Sequence, residues 1–213
     1  MKRSYAVILT AILLAGIAAG CGGTTQPTAT PSPTLPPTAS PTETVSPTMR
    51  TERPETTEQV FRVEGLDETV ETELYVSPLL YSMYVDTSRY QAEYSDGADR
   101  ITPSGQSVAN VSMEVRYLAG ADAQTLEPKY MNDYPEYTDI SYLGEIEIGD
   151  SGLMATAISA STGDKADSLV MQAYLINDGD GVFVLKITCP AEAQEGHGSR
   201  LGQMLETFLP FSH

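Results

Sequence analysis

The stretch Ser168–Thr188, SLVMQAYLINDGDGVFVLKIT, decides the fold. Its two ends are runs of β-branched, aromatic and apolar residues, Ser168 to Ile176 and Val182 to Thr188, the composition of strands. Between them Asn177-Asp178-Gly179-Asp180-Gly181 is too short for anything but a tight reversal, so the two strands pair antiparallel as a hairpin. The same grammar holds upstream. Gly149-Asp150-Ser151-Gly152 separates strands expected at Asp139 to Ile148 and Leu153 to Ser161, which makes a four-strand meander. Earlier strands are expected at Thr69 to Val76, Leu80 to Val85, Tyr90 to Tyr94 and Val108 to Leu118. Within Leu80 to Val85, alternation puts Tyr81, Met83 and Val85 on one face and Tyr84 on the other.

Two helices interrupt the strands. The first starts near Asp122, a good N-cap, and carries Leu126, Tyr130 and Tyr134 on one face, with Pro128 expected to kink or split it. The second covers about Glu192 to Phe208, where Leu201, Met204, Leu205 and Phe208 follow the spacing of a helix lying on a sheet. The expected fold class is α+β: an antiparallel sheet of about six to eight strands with helices packed on its faces. The succession of the strand Tyr81 to Val85, a Leu-bearing helix after Leu118, hairpins, and the closing helix Arg200-Leu201-Gly202-Gln203-Met204-Leu205-Glu206-Thr207-Phe208 resembles the PsbP-like superfamily. That superfamily includes the extrinsic PsbP proteins of photosystem II, Mog-type Ran-binding proteins and many bacterial lipoproteins. The resemblance covers most of Thr69 to Phe211 and implies an α/β/α sandwich and an accessory or binding role.

The amino terminus is read as an address. Lys2 and Arg3 precede an apolar run from Tyr5 to Gly20, too short to span a bilayer comfortably, and small residues Ala18, Ala19 and Gly20 stand before Cys21. The segment Leu14 to Cys21 resembles the lipobox of bacterial lipoproteins, although Leu or Val is commoner than Ala18 three residues before the cysteine. The resemblance implies a signal peptide at 1–20, acylation of Cys21, and residence on the outer face of the cytoplasmic membrane, exposed to the cell wall or exterior. From 21 to 58 the chain is Thr, Pro, Ser and Glu, with Thr-Pro and Ser-Pro pairs that resist regular structure, so a disordered spacer is expected. At about 3.1 Å per residue it could reach roughly 100 Å. Residues 59–213 are left as a single domain, expected to be monomeric.

The chain of 213 residues has 12 Lys+Arg against 29 Asp+Glu, a net charge of −17. Loss of Lys2 and Arg3 with a signal peptide leaves 10 against 29, or −19. A nucleic-acid partner is excluded on this charge, and attachment to an anionic membrane has to come from the lipid on Cys21. With Cys21 acylated, Cys189 has no partner for a disulfide, and its apolar setting marks it as a small buried residue.

Catalytic chemistry finds little support in the sequence. Histidine is limited to His197, set between Gly196 and Gly198 and read as an exposed surface residue, and His213. No Gly-x-Ser-x-Gly, His-Glu-x-x-His, Walker or Gly-x-Gly-x-x-Gly pattern is present. Asn177 to Gly181 resembles the start of a calcium loop but continues into Val182-Phe183-Val184, so a hairpin turn is the better reading. No catalytic residue, metal or cofactor is assigned. Tyrosine is the remaining signal, because it buries a ring while presenting a hydroxyl. Tyr130, Tyr134 and Tyr137 are the candidate binding residues, grouped by helical spacing. The expected function is a non-catalytic binding or accessory domain recruiting an envelope protein or peptide. Its alternatives are an extracellular hydrolase and a small-molecule or cation binder serving a transporter.

Overall fold

The computed structural model describes residues 53–105, 108–132 and 134–211; the signal peptide, Cys21 and most of the spacer expected from the sequence lie outside the described residues. Body structure starts earlier than expected. The first strand, β1 (Thr56–Val63), begins inside the stretch assigned to the spacer and pairs antiparallel with β2 (Leu66–Ser77), Thr56 opposite Glu73 and Val63 opposite Leu66. Its Thr-Thr-Glu-Gln run reads as spacer by polarity, yet threonine is β-branched and suits a pleated surface whose other face holds Phe61. The reversal is the two residues Glu64 and Gly65, both left-handed at φ 51° and 78°, the geometry that matches strand twist.

Two sheets result. The smaller joins β1, β2, β3 (Tyr81–Val85) and β11 (Leu209–Pro210), in the order β1-β2-β3-β11. The larger has seven strands, β4 (Tyr90–Ser95), β5 (Ala98–Pro103), β6 (Ser112–Ala119), β7 (Asp139–Ile148), β8 (Leu153–Ser161), β9 (Leu169–Asp178) and β10 (Gly181–Pro190), in the order β4-β5-β6-β10-β9-β8-β7. All pairings are antiparallel, including β6–β10 and β3–β11, which no short turn joins. The hairpin read from Ser168–Thr188 is β9–β10, turning at Gly179-Asp180 with Gly179 at φ 59°. The long strand expected from Val108, β6, starts only at Ser112, because Asn110 is left-handed at φ 65° and breaks the extended backbone.

β10 is the middle strand and is buried on both faces. Phe183, Leu185, Ile187 and Cys189 point towards the smaller sheet and the closing helix; Val182 and Val184 point to the opposite layer under the first helix. The main core therefore lies between the sheets, where Tyr81, Met83 and Val85 meet Phe183, Leu201, Met204 and Phe208. Cys189 is buried there at 2% exposure, and burial raises its thiol pKa.

Helix α1 (Ala123–Asn132) covers the other face of the large sheet. Asp122 caps it, its carboxylate accepting from the backbone N–H of Gln124 at 3.0 Å and of Thr125 at 3.4 Å. Pro128 does not split it: the helix runs through to Asn132, whose side-chain amide donates to the Pro128 carbonyl at 2.6 Å. Tyr134 lies beyond its end.

The closing helix is not uniform. A 3₁₀ turn at Ala191–Ala193 passes through a π turn at Gln194–Gly198 into α2 (Ser199–Leu205), and Phe208 sits past its end. Gly198 permits a close pass, since a Cβ there would meet the Cys189 Sγ at 3.3 Å.

The end of α2 is tied to the β7–β8 turn at Gly149. This residue has φ 53°, and a Cβ would stand 2.2 Å from the Glu206 backbone oxygen. Gly149→Ala is expected to destabilise the domain by roughly 2–4 kcal/mol, because backbone must move on one side of the contact. The thermal midpoint measures it, and an unchanged midpoint would show that the turn shifts freely.

Candidate functional site

The candidate tyrosines converge, but on a different scaffold from the one expected. Only Tyr130 belongs to α1; Tyr134 and Tyr137 come from the segment leading into β7. Tyr130 and Tyr134 lie 5.1 Å apart at the ring centroids, with the Tyr134 hydroxyl donating to the Tyr130 oxygen at 3.3 Å. Tyr137 meets Tyr134 edge-on at 6.1 Å and is buried against Ala160 and Met171. Ring contact, not helical spacing, makes the group. Burial, and then the bond from Tyr134, raise the Tyr130 pKa; burial raises that of Tyr137. Both phenols are neutral at physiological pH.

A row of charge runs from this stack across the part of the large sheet that α1 leaves open. Strand register aligns Glu93 on β4, Arg100 on β5, Glu114 on β6 and Lys186 on β10. Glu114 receives Arg100 at 2.8 Å, Arg116 at 3.0 Å and Lys186 at 3.5 Å. Lys186 also stands 5.4 Å from the Tyr134 ring centroid, a cation over an aromatic face. In so acidic a chain this is a locally cationic patch, three cations (Arg100, Arg116 and Lys186) against the two carboxylates Glu93 and Glu114, beside a tyrosine stack. A cleft of about 550 Å³ bordered by Gln91, Arg100, Thr102, Glu114, Lys186 and Thr188 opens on it.

Burial pulls the Glu114 pKa up, but the hydrogen bond from Arg116 and the charges of Lys186, Arg116 and Arg100 outweigh it, so this carboxyl titrates below its ordinary range. The folded state therefore binds this proton less readily than the unfolded chain. The stabilisation is complete above the ordinary glutamate pKa and is lost as pH falls through the depressed folded value. Glu114→Gln is expected to flatten that part of the acid-unfolding curve, followed by urea midpoints at successive pH values; an unaltered slope would show that Glu114 is not the group responsible.

His197, read from sequence as an exposed surface residue, is half-buried. Its Nδ1 is 2.8 Å from the Tyr90 hydroxyl, and the rings meet edge-on at 5.8 Å. Burial, then Arg200, lower its pKa, while burial pushes Tyr90 up to about 12. The π turn that carries His197 aims it there; the glycines that flank it in the sequence gave no hint of a partner 107 residues away. His197 borders a cleft of about 740 Å³ with Glu64, Glu68, Arg89, Glu192 and Arg200, and among the described residues no serine lines it. Arg200 pairs with Glu68 and lies 3.7 Å from buried Asp86, while Arg89 bridges Glu68 at 2.5 Å and Asp86 at 3.3 Å. The network is internally paired and ties β2, the β3–β4 connection and α2 together. Among the described residues, no group of three or more His, Cys, Asp or Glu side chains could hold a metal ion.

No protein-family model matches the chain, and no curated protein matches it in sequence. Solved structures are similar in fold. Over 66% of this chain, a Mog1 variant aligns with a TM-score of 0.47 at 14% identity, covering 96% of that protein. The solution structure of the cyanobacterial PsbP protein, CyanoP, from Synechocystis sp. PCC 6803 aligns over 66% of this chain and 92% of its own at a TM-score of 0.46 and 7% identity. A protein from Bacteroides thetaiotaomicron VPI-5482 aligns over 66% of this chain at a TM-score of 0.45 and 12% identity, and the chain spans about half of its length, 48%.

Proposed function

We propose that the chain is a lipid-anchored, extracytoplasmic binding or accessory domain without catalytic activity, which recruits a protein or peptide partner at the cell envelope. The observation that carries this reading is the tyrosine stack of Tyr130, Tyr134 and Tyr137 bordering a locally cationic, shallow sheet face. Tyrosine and arginine at a partly open surface are the side chains that most often anchor partners. The half-buried Tyr134 is the anchor, because Lys186 approaches one of its faces and the Tyr130 and Tyr137 rings fix it. The lipid on Cys21 supplies the attachment that a chain of net charge −17 cannot obtain from an anionic surface.

The test is affinity capture from cross-linked, solubilised envelope with the full chain and its Tyr134→Ala variant. A partner held by the parent is expected to be lost from the variant, consistent with a hot-spot effect of about 2 kcal/mol, roughly thirtyfold. A partner retained equally by both would remove Tyr134 from the interface, and turnover in an unbiased substrate screen with no retained partner would overturn the reading. Cys21→Ser is expected to move the protein from the membrane to the soluble fraction; a membrane-bound variant would disprove the anchor.

A further inference from the structure

We propose that the outer edge of β1 accepts an extended, lysine- or arginine-bearing peptide as an added strand. The site lies on the smaller sheet, across the main core from the tyrosine stack, and does not depend on the reading above.

β1 is the terminal strand of its sheet. In an antiparallel pair successive residues turn their N–H and C=O groups alternately towards the partner strand and away from it. The phase is fixed at both ends. Glu55 and Thr57 present their carbonyls towards β2, where they accept from the Leu74 N–H at 2.7 Å and the Thr72 hydroxyl at 2.9 Å. Arg62 points the other way, its N–H donating to Gln203 Oε1 at 2.7 Å and its carbonyl accepting from Gln203 Nε2 at 3.0 Å. A primary amide that accepts and donates on one residue imitates the peptide group of a neighbouring strand. Glu58 and Val60 share the outward phase of Arg62, and among the described residues no other backbone group meets them. Their edge borders a trough of about 710 Å³ closed by the β7–β8 turn and the end of α2. The other long free edge, β7, is interrupted by a bulge between Tyr142 and Gly144, which blunts pairing.

Charge selects the occupant. Glu58, Asp150 and Glu206 line the trough, and its one cation, Arg53, is committed to Ser82, the Thr207 carbonyl and the Tyr84 ring. Burial and the proximity of Asp150 raise the Glu206 pKa, as expected where carboxylates crowd. A second copy of so acidic a chain would bring like charges together, whereas alternating cationic side chains would answer them.

The experiment follows amide hydrogen exchange in the full chain as an acetylated heptapeptide alternating lysine with valine is added. The Glu58 and Val60 amides are expected to slow by about tenfold or more at saturation, while those of Thr57 and Gln59, already in the β1–β2 ladder, stay unchanged. Methylating the peptide nitrogens that face β1 is expected to abolish binding, and methylating the opposite set to preserve it. Val60→Pro removes an outward donor and no ladder donor, and is expected to weaken binding about tenfold; if that variant does not fold, the methylated peptides still decide. Tyr134→Ala is expected to leave binding unaltered. Equal binding of the two methylated peptides, equal binding of a glutamate-for-lysine peptide, or concentration-dependent protection of Val60 without peptide would each overturn the proposal, the last in favour of self-association.

Discussion

Asp99→Ala is expected to destabilise the folded domain by about 3–5 kcal/mol, a large part of the stability of an ordinary domain. Asp99 is fully buried on β5 and reaches across the core to the smaller sheet. The Tyr75 hydroxyl donates to it at 2.5 Å and the Ser77 hydroxyl donates to its other oxygen. Ser77 in turn accepts from the Leu79 N–H at 2.9 Å, which fixes the turn from β2 into β3. Burial, reinforced by the Asp99 charge, raises the pKa of both Tyr75 and Tyr81, so both phenols stay protonated and Tyr75 stays a donor. Deleting the carboxylate strands the buried Ser77 hydroxyl and the half-buried Tyr75 hydroxyl, and a stranded buried donor costs more than the bond itself contributes. Asp99→Asn keeps an acceptor and should lose roughly half as much. Urea unfolding measures both variants, with the slope unchanged and the midpoint lowered. A double-mutant cycle with Ser77→Ala should return a coupling of about 1–2 kcal/mol. A loss below about 1 kcal/mol for Asp99→Ala would show that the core rearranges around the gap.

Nothing near Asp99 in the sequence announces this role, and that marks where sequence reading stops. The meander was legible because its strands are long, apolar and separated by turns too short to permit anything but hairpins: β7 and β8 run from Asp139 to Ile148 and from Leu153 to Ser161, the limits expected. β1 and β5 were illegible for the same physical reason. Both mix polar residues with few apolar ones, and Thr56 to Gln59 or the buried Asp99 beside exposed Arg100 resemble linker or turn residues until a partner strand is in place. The candidate site was half legible. Tyrosine content pointed to Tyr130, Tyr134 and Tyr137, but Lys186, Glu114 and Arg100 join them only through the register of β5, β6 and β10, which separates residues by up to 86 positions. His197 was misread because local glycines signal an exposed loop, whereas Tyr90 buries it from another sheet edge. Long-range pairing decides each of these cases, and periodicity within one segment carries no information about it.

The same long-range pairing makes Phe183→Ala the second large effect, expected at about 3–5 kcal/mol. Phe183 is fully buried at the inner face of β10, in the middle of the large sheet. Its ring centroid lies 5.9 Å from Tyr81 on β3, 4.9 Å from Tyr117 on β6 and 5.2 Å from Phe208 after α2, while Tyr81 and Phe208 approach to 4.9 Å. The ring therefore joins both sheets and the closing helix, and alanine leaves a cavity that three rigid neighbours cannot fill without losing their edge and tilted contacts. Val184 is the control. It is buried one residue away on the opposite face, under α1, and Val184→Ala removes two methyl groups' worth of transfer energy, roughly 1.5–2.5 kcal/mol. Because the chain contains no tryptophan, its near-ultraviolet circular dichroism reports these tyrosines directly. That signal should collapse in Phe183→Ala at temperatures where the far-ultraviolet signal persists, and survive in Val184→Ala. Equal losses in the two variants would mean that the sheets are held together elsewhere, as by the Asp99 bridge, and not by this aromatic cluster.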